Sequence, residues 1–193
     1  MITLYTHFVG NINLPNTSPN NSFGEALAVA IAKYEPIFLK EILGITLYDL
    51  FQTNIAQGSG VYHDLLVGAD YTNSSDIACR YEGLNGVGSN PIANFIYCKV
   101  QEERFTNAIG IGERQANSEN MVLASPSLKI IQAWNEMVDW LWVLDDFLRE
   151  TGDYPTYIGI NYPPYDKTNY YGSYIPHMVS NNKYFQKINQ FGL

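Results

Sequence analysis

Polar and apolar positions along this chain change their spacing several times, and those changes divide it into elements. The clearest pattern lies between Pro126 and Arg149. There Lys129, Gln132, Glu136, Asp139, Asp146 and Glu150 recur at three- and four-residue steps, interrupted at Val143. Such spacing places them in one narrow stripe on a helix of about 24 residues, roughly 36 Å long. Nearly everything else from Leu128 to Leu148 is apolar, including Trp134, Trp140, Trp142 and Phe147. A helix on a monomer's surface buries one stripe, whereas this one must bury most of its circumference. It is expected to be central to the fold and partly covered by a second subunit.

Helical spacing predicts three further helical segments. Asn90-Pro91 sets an N-cap before a proline at the first helical position, and the helix should run through Ile92, Phe95, Ile96 and Val100 to about Ala108. Ser125-Pro126 repeats the device for the long helix. Upstream, a helix should open near Ser22 with Glu25 as its capping-box partner, burying Leu27, Ile31 and Tyr34. Pro36 disfavours helix at Glu35, so a kink or restart is expected there before a stop at Gly44. "TLYDLFQTNIA" reads as a short helix with Thr46 as N-cap and Asp49 in its first turn.

Other spacings point to different structure. Residues 2–9, "ITLYTHFV", are rich in strand formers, and residues 10–22 read as a polar Pro/Asn linker. The stretch 58–90 is loop-rich, with a β-hairpin expected around Asn73-Ser74-Ser75. Beyond Thr151 periodicity is lost, and eight of the fifteen tyrosines and four prolines follow. That composition suits an extended arm laid on another surface, since Tyr gives large contact area at low entropic cost. The fold class expected is mainly α: a small helical bundle with a short β-hairpin, an N-terminal strand and an extended C-terminal arm. Its parts are an N-terminal strand and linker (1–22), a helical domain (23–150, hairpin insertion at about 69–84) and the arm (151–193).

Composition narrows the function. Charged residues make up 16% of the chain against roughly 25% in a typical domain, while aromatics reach 14%. Interfaces enrich Tyr and Trp and deplete Lys and Glu, so surface covered by another molecule is expected. Net charge is −8 with eleven Lys and Arg, which argues against gripping nucleic acid through its phosphates. An acidic protein can still sit beside DNA without holding it. Neither a signal peptide nor a run of about 18 apolar residues is evident, so a soluble protein of a reducing compartment is expected.

Candidate chemistry is sparse. His7, His63 and His177 are far apart and form no metal-binding pair. His63 beside Asp64 reads as a surface pair rather than an acid-base dyad, and no GxSxG elbow exists. "GLNGVGSNP" (83–91) lacks the Lys and Ser/Thr of a phosphate loop and reads as a hinge. Cys98 is expected to be a free buried thiol, and no cofactor is implied. The roughly seventeen-residue connection holding "IGIGERQANSEN" (109–120) is long enough to be functional or assembly-related. Gly110 and Gly112 permit close backbone approach, and Glu113, Arg114 and Glu119 can pair with a partner.

Two stretches carry a family likeness. "YEPIFLKEILGITLYDLF", followed by "SNPIANFIYCKVQEERFTNAIGIGERQANSENMVLASPSLKIIQAWNEMVDWLWVLDDFL", resembles the head-tail connector proteins of tailed bacteriophages, in the longer form found in phages of Bacteroidota. Glu102 or Glu103 with Arg104 occupies the place of that family's "E-x-R" turn, Gly110 to Gln115 its glycine-containing loop, and Ser125 to Leu148 its final helix. The likeness covers about residues 23–150; the N-terminal strand, the hairpin and the arm depart from shorter connectors. It implies a non-enzymatic ring, commonly of twelve copies, that bridges portal and tail proteins in the virion neck. DNA would pass through without sequence-specific binding. Inter-subunit contacts are expected at Arg104, Gly110, Gly112, Glu113, Arg114 and Glu119, at Trp140 and Trp142, and at Tyr162, Tyr165, Tyr170, Tyr171 and Tyr174 of the arm. The competing expectation is a carbohydrate- or protein-binding tail-associated module that uses exposed Tyr and Trp.

Overall fold

A computed structural model of the chain describes residues 2–14, 22–86, 90–105, 107–109, 112–114 and 126–157. The described structure is mainly helical. Helix α1 spans Ser22–Leu43, α2 Ile45–Asn54, α3 Val61–Val67, α4 Pro91–Phe105 and α5 Pro126–Glu150. Strands β1 (Ala69–Thr72) and β2 (Ala78–Tyr81) pair antiparallel, with Ala69 opposite Tyr81 and Thr72 opposite Ala78. Strands β3 (Asn107–Ile109) and β4 (Gly112–Arg114) form a second, smaller ladder.

Helix α4 is the centre of the bundle. All seven residues from Ile92 to Cys98 are buried, Asn94 among them, and α4 packs on α5 to one side and α1 to the other. Consecutive burial leaves no solvent face, as expected of a helix enclosed by neighbours. The Cys98 thiol is free, and burial pushes its pKa up to about 12, so it is inert packing.

Helix α5 has the length its sequence predicts, and the chain itself covers it. Leu128, Lys129, Gln132, Asp139 and Val143 are its exposed positions, while Ala133, Met137, Val138, Leu141, Leu144, Phe147 and Leu148 are buried. The other acids of the stripe hold neighbouring elements in place. Glu136 accepts from the Asn11 amide at 3.0 Å, Asp146 from the Tyr71 hydroxyl at 3.1 Å, and Glu150 from the Ser74 N–H at 2.5 Å.

The hairpin belongs to the core. Tyr81 is fully buried, stacks on Phe147 at 4.2 Å and donates its hydroxyl to the Leu65 carbonyl. The turn closes where the sequence predicts: Asn73 Oδ1 accepts the N–H groups of Ser75 and Ile77, both at 3.0 Å. At its other end Gly68 and Gly83 meet back to back, with φ of +94° and +82°. A Cβ on Gly83 would stand 2.4 Å from the Gly68 nitrogen, so only glycine permits this approach.

Several expectations are corrected. Residues 2–9 are not a strand: they contain a 3₁₀ turn at Tyr5–His7, followed by another at Gly10–Ile12. The buried Glu35 carboxylate accepts the N–H groups of Ile2 and Thr3 that a strand would have offered to a ladder. Helix α1 does not restart at Pro36 but runs on as one helix to the stop expected at Gly44, because Phe38, Leu39, Ile42 and Leu43 beyond the proline are all buried and outweigh the lost backbone bond. The N-cap of α2 is Gly44 (φ +75°) rather than Thr46, and Asp49 lies past the first turn; Gly44 serves both helices, donating to Lys40 and accepting from Tyr48. Helix α4 stops at Phe105 instead of about Ala108, and part of the connection after it is the β3–β4 ladder. Helix α3 lies in what reads as loop, too short between Gly60 and Gly68 to show a period. The packed domain also extends past 150. Tyr154 is buried and donates to the Val61 carbonyl at 2.6 Å, and the Tyr157 hydroxyl donates to Asp145 at 2.7 Å.

Candidate functional site

The N-terminal segment builds one wall of a cleft. Ile2, Phe8, Ile12 and Leu14 insert into the core, and three polar ties fix the backbone between them. Glu35 holds its start. Asn90 Nδ2 lies 3.0 Å from His7 Nδ1 in its middle, and Asn11 reaches Glu136 near its end. Opposite stands the α5 stripe with Glu136, Asp139 and Val143, and the floor is Asn90, Asn94 and Trp140. The space they line is open to solvent and about 690 Å³ in volume, within the range of ligand pockets.

Local structure sets the polarity of the floor. Asn90 is the N-cap of α4, its Oδ1 accepting the Ala93 N–H at 3.0 Å, as the Asn-Pro pair predicts. That leaves its amide nitrogen to donate. His7 Nδ1 also receives the Leu4 N–H at 3.1 Å, so this nitrogen is the acceptor and the ring proton belongs on Nε2. Burial lowers the His7 pKa below its ordinary value, and the Glu35 charge opposes that shift only in part.

The cleft is therefore a neutral-to-acidic surface: two carboxylates, three side-chain amides and an uncharged imidazole, with no Lys or Arg among its lining residues. Val9 and Val143 add apolar rim, at 53% and 40% exposure. Such a surface can accept hydrogen bonds, hold a cation and cover an apolar group. No nucleophile with an adjacent base lines it, and among the described residues no three His, Cys, Asp or Glu cluster as metal ligands. No helix among the described residues is long and apolar enough to cross a membrane.

The residues expected at subunit contacts fall in different places. Trp140 is buried inside its own chain, packed against Tyr81 at 5.5 Å, so its burial needs no neighbour. Trp142 is half-buried against the same core. Arg104 lies in the last turn of α4, and Gly112, Glu113 and Arg114 form β4, with Glu113 opposite Ala108 and Arg114 opposite Asn107. Gly110, Glu119, Tyr162, Tyr165, Tyr170, Tyr171 and Tyr174 lie outside the described residues. The structure brings none of the described ones into the cleft except Trp140.

Asn11, Asn94 and Glu136 are cleft residues that sequence reasoning did not single out, and His7 was weighed there only as a metal ligand. Glu136 stood in the polar stripe, but nothing in the chain marked which segment would face it. No protein-family model, curated protein or solved structure matches the chain.

Proposed function

We propose that the protein is a non-enzymatic virion component, a ring-forming head-tail connector in the phage neck, assembled in the bacterial cytoplasm. Its partners would be copies of itself, the portal protein and a tail or tail-completion protein. The observation that carries this reading is the order of elements across 23–150. Helix α1 is followed by the short α2; then α4 carries Glu102-Glu103-Arg104 in its last turn, a ladder with Gly112 follows, and α5 closes the domain. That is the order the connector likeness calls for. The acidic charge supports it too, since DNA sliding through a ring must not adhere to the wall.

The test is native mass spectrometry with electron microscopy of the purified full chain. A closed ring at a fixed multiple of the 21.8 kDa chain mass is the expected result. A monomer at every concentration would overturn the reading. A second reading, a carbohydrate- or protein-binding tail-associated module, is favoured by the cleft, whose amides, carboxylates and lining Trp140 resemble a sugar subsite in chemistry. A glycan array separates the two, since a connector gives no hits.

A further inference from the structure

Asn94 is the exception in the buried run of α4. The other six residues from Ile92 to Cys98 belong to the hydrophobic core, yet Asn94 is itself only 4% exposed. Its backbone N–H bonds the Asn90 carbonyl at 3.0 Å, but no residue bonds its side-chain amide. Buried amides are nearly always paired, so an unpaired one calls for an explanation. Asn94 lines the cleft, where its amide presents a donor and an acceptor side by side to whatever enters. Two further lining groups are unanswered among the described residues. The His7 proton on Nε2 has no acceptor, and Glu136 receives Asn11 and Gln132 on Oε1 alone.

An extended peptide answers this set of groups. The N–H and C=O of one extended residue face the same way, so a single residue satisfies both halves of an amide. Side chains alternate along such a segment, and one of them can cover the apolar rim at Val9 and Val143. With Glu136 in the lining and no Lys or Arg there, the charge suits a neutral or basic segment. A sugar is matched less well, because it needs an aromatic face to stack on. Trp140, the one Trp, Tyr or Phe in the lining, is 7% exposed. We propose that the cleft binds an extended, neutral or basic peptide segment of a partner protein, held by the Asn94 amide. The inference deepens the proposed function and rests on it for a partner protein, without requiring a ring.

The test applies the fluorescently labelled full chain to an array of short peptides of randomised sequence and, in parallel, to a glycan array. Bound peptides poor in Asp and Glu are the expected result. The tightest binder is then titrated by calorimetry against wild type and Asn94→Leu. Leucine is close in size and removes an amide that the chain itself leaves unpaired, so the urea midpoint should hold or rise. Peptide binding should weaken on the order of tenfold through the lost hydrogen bonds. Val143→Lys is the second variant. At 40% exposure it spares the fold, and it should weaken a basic peptide on the order of tenfold through like charge. Glycans bound in place of peptides, no binding at all, or peptides bound equally by all three chains overturn the proposal. Rings that bind no peptide refute this site and leave the connector standing. A monomer that binds peptides through Asn94 refutes the connector and leaves a peptide-binding module.

Discussion

Trp140 has two neighbourhoods, and they differ in kind. On one side its ring meets the aromatic cluster of Tyr81, Phe147 and Tyr154, closed by the hairpin and α3. On the other it forms the floor of the cleft with Asn90 and Asn94. The closed side satisfies its hydroxyls internally: Tyr81 donates to Leu65, Tyr154 to Val61, Tyr157 to Asp145. Burial holds the Tyr81 and Tyr157 hydroxyls well above their ordinary pKa, so both remain protonated donors. The open side offers polar groups to solvent and holds its wall by only a few charge-assisted bonds. One side is closed and satisfied internally and the other is open, and substitutions should separate the two.

The largest effect should come from the closed side. Gly83→Ala adds a methyl 2.4 Å from Gly68 nitrogen at a φ of +82°, so both overpacking and backbone strain apply. The expected loss is about 4 kcal/mol, most of the stability of a marginal domain. Gly152→Ala is the matched control: φ is +68° but nothing lies within 4 Å, so strain alone should cost about 1 kcal/mol. Urea unfolding of both variants checks the difference. Equal midpoints would show that the Gly68–Gly83 approach does not hold hairpin and α3 together.

An intermediate effect is expected where the wall of the cleft is anchored. Glu35→Ala removes the acceptor of the Ile2 and Thr3 N–H groups at a buried site. Orphaned buried donors and the lost charge-assisted bonds together should cost about 3 kcal/mol. Hydrogen exchange should then show residues 2–14 opening while the Tyr81–Phe147 region keeps its protection. Simultaneous loss in both regions would mean that the two sides are one cooperative unit.

The contrast also explains what the sequence made legible. Helices α1, α4 and α5 announced themselves because their apolar residues repeat at helical spacing over 15 to 25 residues and two of them start at an X-Pro pair. The hairpin was visible through the turn residues at Asn73 to Ser75. The cleft was not, because each of its parts is locally ambiguous. "ITLYTHFV" has strand composition, and only the distant Glu35 carboxylate, 33 positions from Ile2, diverts its amides from a ladder. His7 and Asn90 are 83 positions apart, and Asn11 and Glu136 are 125 apart. Such pairings leave no mark on local periodicity. Trp140 misled for a related reason: periodicity tells that a face is buried, not whether the same chain or another covers it.

The smallest effect is a pH dependence that belongs to the open side alone. His7 has a native pKa below its ordinary 6.5, because burial disfavours the imidazolium more than the Glu35 charge favours it. Below about pH 6.5 the unfolded chain therefore binds this proton more readily than the native one, and stability falls as pH drops, levelling once the native pKa is passed. Protonation would also take the lone pair on Nδ1 that receives Leu4 and Asn90, or force the ring to turn. The ring is only half-buried, so screening should keep the contribution under about 1 kcal/mol. The His7→Gln difference is the proper readout, because Gln keeps an acceptor but has no proton to gain. Between pH 7 and pH 5 the wild type should lose more stability than His7→Gln in parallel urea titrations. Parallel curves would place His7 in solvent and detach the N-terminal wall from the cleft.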